Sequence, residues 1–209
     1  MVNPEMKPFR GVFTITSTPF DDQLQLDEAG LRRIIDFCIG CGAHGLVYPV
    51  NASAFTTLTD EERIQASRIV VEQCAGRIPV AMGVAGVCKE HAALFAKEAR
   101  AMGADAVIAM TPYVNKIQED DLIVEYYAAI AAAAHLPVFI QNHGVGTELS
   151  VKTMLRVIHE VEYVDYIKEE TFPVTHKHRQ RQQRHRDAER PLKPLEIPFL
   201  QLLFVVFPL

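Results

Sequence analysis

Lys168 closes an apolar run, Tyr163-Val-Asp-Tyr-Ile-Lys168-Glu-Glu-Thr171, that reads as a buried strand. A lysine at the mouth of an α/β fold can lose its charge by desolvation, and the free amine attacks carbonyl carbons to form an imine. The groups near it in sequence offer proton transfer. Glu169 and Glu170 follow directly, and His143, beyond another apolar run, titrates close to neutral pH. Carboxylates in such positions are most often solvated, and a loop histidine is most often simply hydrogen-bonded. Asn51 and Ser53 are favoured turn formers, and a turn with exposed amides can hold a carboxylate. Cys38-Ile-Gly-Cys41 has redox spacing, but it falls at the end of a helix, where the dipole opposes a thiolate, so packing is expected.

The elements that must position these groups alternate along the chain. Apolar runs near 12–17, 45–50, 79–83, 105–110, 137–141 and 163–168 read as strands buried on both faces. Between them lie segments with helical spacing at Asp27 to Ile39, Asp60 to Cys74, Lys89 to Met102, Glu119 to Ala134 and Ser150 to His159. Thr59 with Glu62 forms a capping-box signature, and Gly42, Gly76 and Gly103 stand where helices stop. Strand starts recur every 26 to 34 residues, the cadence of a (β/α)₈ barrel of the TIM type. A doubly wound sheet is the alternative, yet no Gly-x-Gly-x-x-Gly follows a strand. The expected class is α/β, an incomplete barrel of about six βα units followed by an atypical tail.

Four stretches, in this order and spacing, carry a resemblance: Gly11-Val-Phe-Thr-Ile-Thr-Ser-Thr-Pro-Phe20, Asn51-Ala-Ser-Ala-Phe-Thr-Thr-Leu-Thr-Asp60, Thr111-Pro-Tyr-Val-Asn115 and Tyr166-Ile-Lys-Glu-Glu-Thr171. Together they resemble the dihydrodipicolinate synthase and N-acetylneuraminate lyase family over roughly residues 9 to 171. The resemblance implies a pyruvate-type 2-oxo acid held on Lys168 as a Schiff base, then aldol addition or cleavage, or dehydration. It implies substrate contacts from Asn51, Ala52, Ser53, Tyr113, Gln141 and Asn142, with no cofactor and no metal. It also implies a homo-oligomer, a tetramer, with a 2-oxo acid and an aldehyde as small-molecule partners.

The departures from the family pattern are specific. Val50-Asn51-Ala52-Ser53-Ala54 stands where the family reads Gly-Thr-Thr-Gly-Glu, so the hydroxyl expected at Ala52 is missing. Val114 replaces the tyrosine that reaches across a dimer. Gln141 replaces the phenol that serves as acid and base, and an amide cannot exchange protons near neutral pH. Gly146 replaces an arginine that grips a second carboxylate. These losses argue against dihydrodipicolinate synthesis itself and leave His143 as the candidate acid and base.

At Phe172 the pattern stops. The 38 residues from there hold seven Lys or Arg against three Asp or Glu, a balance of +4, whereas residues 1–171 carry −9 of the overall −5. We therefore expect a partial barrel domain over 1–171 and, over 172–209, a basic then apolar tail that is not a domain. An inactive, truncated paralogue that binds a small carboxylate or pairs with a full-length relative is the alternative to an active lyase. The acidic main body excludes a nucleic-acid binder, and His176, His178 and His185 lack partner ligands for a metal. The apolar stretch from Leu195 falls short of the roughly 20 residues a membrane-spanning helix needs. The leader has no signal-peptide pattern, and four cysteines in 209 residues suit reduced thiols, so a cytoplasmic enzyme is expected.

Overall fold

The computed structural model describes Phe9 and residues 11–171. The tail over 172–209, with its three histidines, lies outside the described residues. Six strands alternate with five helices: β1 Phe13–Ile15, α1 Glu28–Gly40, β2 Gly45–Tyr48, α2 Asp60–Cys74, β3 Val80–Gly83, α3 Lys89–Met102, β4 Ala106–Ala109, α4 Asp120–Ala134, β5 Val138–Asn142, α5 Val151–Glu160 and β6 Val164–Glu169. Helix boundaries fall within one residue of those read from apolar spacing. The first four strands are shorter than expected. β2 stops at Tyr48 because Pro49, joined by a cis peptide bond, has no N–H to continue a ladder.

The chain divides into two compact units, the first holding the described residues up to Gly83 together with Ala101–Ala106, the second Val84–Arg100 and the residues from Val107 on. In the first, β1, β2 and β3 pair in parallel, with Phe13 opposite Gly45 and Leu46 opposite Val80. Every residue of β2 and β3 is buried, as expected for strands covered on both faces. The Thr59–Glu62 capping box forms as predicted, satisfying two donors that the start of α2 would otherwise orphan. Arg63, on the same helix, donates to the carbonyl of Gly83 at 2.8 Å. A Cβ at Gly83 would lie 1.7 Å from the Pro49 carbonyl oxygen, so the ends of β2 and β3 approach too closely for any other residue.

In the second unit β4, β5 and β6 also pair in parallel and in chain order. Tyr126 and Tyr127 of α4 reach the carbonyls of Met110 and Ala109 at 3.1 and 3.0 Å, which pins the helix to the end of β4. The β5–β6 ladder carries one irregularity. Val138 opposes Val164 but Phe139 opposes Tyr166, so Asp165 is an extra residue in β6, a bulge in the ladder. Past that bulge Gln141 opposes Lys168 and Asn142 opposes Glu169.

Candidate active site

Side chains alternate across a strand, so Gln141 and Lys168 share one face of the β5–β6 ladder while Asn142 and Glu169 share the other. Lys168 is 3% exposed. Its Nζ lies 2.8 Å from Glu170 Oε2, and Gln141 Nε2 donates to that same oxygen at 2.7 Å. Burial pulls the Lys168 ammonium below its ordinary range, and the Glu170 carboxylate, which favours the charged form, offsets part of that. A buried amine so poised needs less driving to shed a proton than a solvated lysine, and that is what attack on a carbonyl demands.

On the opposite face Asn142 is fully buried and committed. Its Oδ1 accepts from the Leu149 amide at 2.8 Å, and its Nδ2 donates to the Leu149 carbonyl at 3.1 Å and to both Glu169 oxygens. Glu169 in turn accepts from the amide and hydroxyl of Thr171. Asn142 and Glu169 thus close the loop after β5 and the end of β6. The backbone of Glu170 is fixed as well, its amide donating to the Asn142 carbonyl at 3.0 Å.

The loops after β4 and β5 are stitched together. Thr111 Oγ1 accepts from the Thr147 amide at 2.6 Å, Thr147 Oγ1 donates to the Ile117 carbonyl at 2.7 Å, and Lys116 Nζ donates to the Gly144 carbonyl at 2.9 Å. Tyr113 lies half-buried on the first of these loops. His143 lies on the second, its Nδ1 accepting from the Val145 amide at 3.1 Å, so the neutral ring carries its proton on Nε2. Gly146 packs against Thr111, and a Cβ there would sit 2.5 Å from Thr111 Oγ1, which leaves no room for the arginine that the resemblance leads one to expect.

In the first unit, Asn51–Ser53 forms a single 3₁₀ turn after β2. The Ser53 and Ala54 amides are spent inside it, on the carbonyls of Val50 and Asn51. The Ser53 hydroxyl donates to the Thr16 carbonyl at 2.7 Å, and Thr18 Oγ1 donates to the Ser53 carbonyl at 2.7 Å and meets the Tyr48 phenol at 2.9 Å. Burial pushes that phenol up to about 12, so it stays protonated across the neutral range. Asn51 Nδ2 and Thr16 Oγ1 are buried in this unit without a hydrogen-bond partner among the described residues. Ala52 is exposed.

Glu170, in sequence a possible base whose commoner role is solvated or structural, is in contact with Lys168, while Thr16, Thr18 and Tyr48 carry no such signal in the sequence. The missing phenol at Gln141 was the signal that another proton-transfer group should be sought nearby. Cys38 and Cys74 are buried, while Cys41 and Cys88 are exposed, so packing accounts for only one member of the Cys-x-x-Cys pair. Among the described residues no three His, Cys, Asp or Glu side chains group as metal ligands, and no helix is long and apolar enough to cross a membrane.

Comparison with known proteins gives a consistent picture. The model of the dihydrodipicolinate synthetase family matches residues 8–188. L-2-keto-3-deoxyarabonate dehydratase of Azospirillum brasilense is 35% identical over 166 residues, covering 78% of this chain and 53% of that protein. 4-Hydroxy-tetrahydrodipicolinate synthase of Lachnoclostridium phytofermentans is 36% identical over 137 residues, covering 66% and 46%. The solved 4-hydroxy-tetrahydrodipicolinate synthase of Methylacidiphilum fumariolicum superposes with a TM-score of 0.76 at 27% identity, covering 80% of this chain and 56% of that one. The chain thus spans about half the length of the relatives it matches. The fold is the partial (β/α)₈ barrel of these proteins.

Proposed function

The chain belongs to the dihydrodipicolinate synthetase family, and from that premise we propose that it is a Schiff-base lyase or aldolase acting on a pyruvate-type 2-oxo acid, with Lys168 as the nucleophile. The observation that carries this reading is the burial of Lys168 at the end of β6, with its charge disfavoured by desolvation. Pyruvate closes a C=N bond with the lysine, and the protonated imine draws electrons from the neighbouring carbon, so that a carbon–carbon or carbon–oxygen bond can break or form there.

Within the family, a 2-oxo-3-deoxy sugar acid suits this chain better than the synthase reaction. Gln141 has no exchangeable phenol proton, and Gly146 has no room for an arginine. The dehydratase of Azospirillum brasilense, a relative named for such a substrate, adds weight. Assembly as a homo-oligomer, a tetramer by extension from the family, is part of the same proposal, and Val114, 65% exposed, offers an apolar contact for it. A cytoplasmic site of action is proposed from the four unpaired cysteines.

The test is intact-protein mass spectrometry after incubation with pyruvate and borohydride, with circular dichroism to follow the fold. A reduced adduct on the wild-type chain that Lys168→Ala lacks is the expected result. No adduct on folded wild-type protein overturns the reading.

A further inference from the structure

Resting on that reading, we infer that Glu170 is the catalytic acid and base of imine formation in this chain, taking over at Lys168 the proton traffic that Gln141 cannot carry. Three observations point there. Glu170 Oε2 is in direct contact with Lys168 Nζ at 2.8 Å. Gln141, the residue in place of the expected phenol, donates its amide to that same oxygen at 2.7 Å and so holds the carboxylate against the lysine. The Glu170 side chain remains 23% exposed, against 2% for that of Lys168. A carboxylate that touches the nucleophile and keeps part of its side chain in solvent can exchange protons with water between turnovers. The fixed backbone of Glu170, bonded to the Asn142 carbonyl, keeps that geometry without help from a loop.

The proton ledger closes. Lys168 Nζ begins with three protons and Glu170 with none. One proton passes from Nζ to Oε2, breaking an N–H bond and forming an O–H bond. The freed lone pair forms a C–N bond to the ketone carbon while the C=O π electrons move to oxygen, and a second proton moves from nitrogen to that oxygen. The carbinolamine then loses its hydroxyl as water, the hydroxyl taking the proton stored on Glu170, and the nitrogen lone pair closes the C=N bond. The product is the protonated imine, and Glu170 is a carboxylate again.

The alternative role for Glu170 is merely to balance the buried charge. The two roles separate in a pH profile of the rate of imine trapping, measured on the full chain with pyruvate and cyanoborohydride for wild type, Glu170→Gln and Glu170→Ala. A charge-balancing carboxylate shifts the pH at which the rate levels off and leaves the high-pH plateau intact. A proton-transfer carboxylate lowers the plateau itself, by about a hundredfold or more, and formate added to Glu170→Ala restores part of the loss. Plateau rates less than about tenfold below wild type, or a loss that formate does not recover, overturn the inference. If both variants fail to fold, Glu170→Ser takes their place, and a wild-type plateau in it overturns the inference too. Absence of any adduct on wild-type protein instead removes the Schiff-base reading beneath it, so the two failures are distinguishable.

Discussion

Gln141 and Lys168 are cross-strand partners in the β5–β6 ladder, and their side-chain nitrogens converge on a single oxygen, Glu170 Oε2. An amide opposite a buried lysine is chemically inert, yet it is a good donor, and here its donation fixes the carboxylate that the lysine touches. Replacement of a phenol by an amide therefore reads as a redistribution of roles between two positions, which fits the family membership as well as the departure from its pattern.

Lys168 is held in a site that disfavours its charge, and this has a measurable cost. Its folded-state acid constant lies below the unfolded value, mainly because of burial. At a pH below the folded value the lysine is charged in both states, and the burial penalty is present in full. As pH rises through the folded value toward the unfolded value near 10.4, the penalty vanishes. Lys168→Met removes the ionisable group and adds apolar burial, so it should melt above wild type near neutral pH while forming no pyruvate adduct. The gap in Tm should narrow as pH is raised toward 10.5 and beyond. Thermal melts followed by circular dichroism from pH 7 to 11 measure it, and a gap that widens with pH contradicts the assignment.

Asn142 behaves as a loop anchor. Asn142→Ala strands the Leu149 amide and carbonyl and loosens Glu169, at an expected cost of about 2–4 kcal/mol for bonds buried away from water. Urea unfolding should show that loss in the midpoint. Pyruvate concentration dependence of trapping, measured on the fraction that remains folded, should change little. The opposite pattern would make Asn142 a substrate contact.

Asn51 should behave the other way round. Its buried Nδ2 has no hydrogen-bond partner among the described residues, so an apolar side chain of similar size gives up no hydrogen bond seen there. Asn51→Leu is expected to melt within a few degrees of wild type or above it. A marked drop in Tm in thermal melts followed by circular dichroism would instead show that the Asn51 amide holds the turn together.

Much of the fold is legible in the sequence because its signals are local. Apolar runs, helical spacing and the Thr59–Glu62 capping box each involve residues within a few positions of one another, and each is found where it was read. The site is legible only as a residue list. Lys168 stands out by its place at a strand end, but the value of Glu170 depends on a meeting with Gln141 across 29 positions of chain, and nothing in either residue's neighbourhood signals it. The Thr16, Thr18, Tyr48 and Ser53 network is hidden for the same reason: it joins residues 30 or more positions apart, and hydroxyls are too common in loops to be picked out singly.

The bulge at Asp165 gives β6 a parity. If the ladder ran on regularly from Val138 and Val164, Gln141 would face Ile167, and Lys168 would face Asn142 on the other side of the sheet. A designer who tidied this strand into ideal pairing from its first residue, preserving every amino acid, would keep a well-formed sheet and send the amine out of reach of the Glu170 carboxylate. The single irregular step in the ladder is thus an odd-numbered count on which the chemistry depends, and transplanting this lysine onto another barrel would require transplanting the miscount with it.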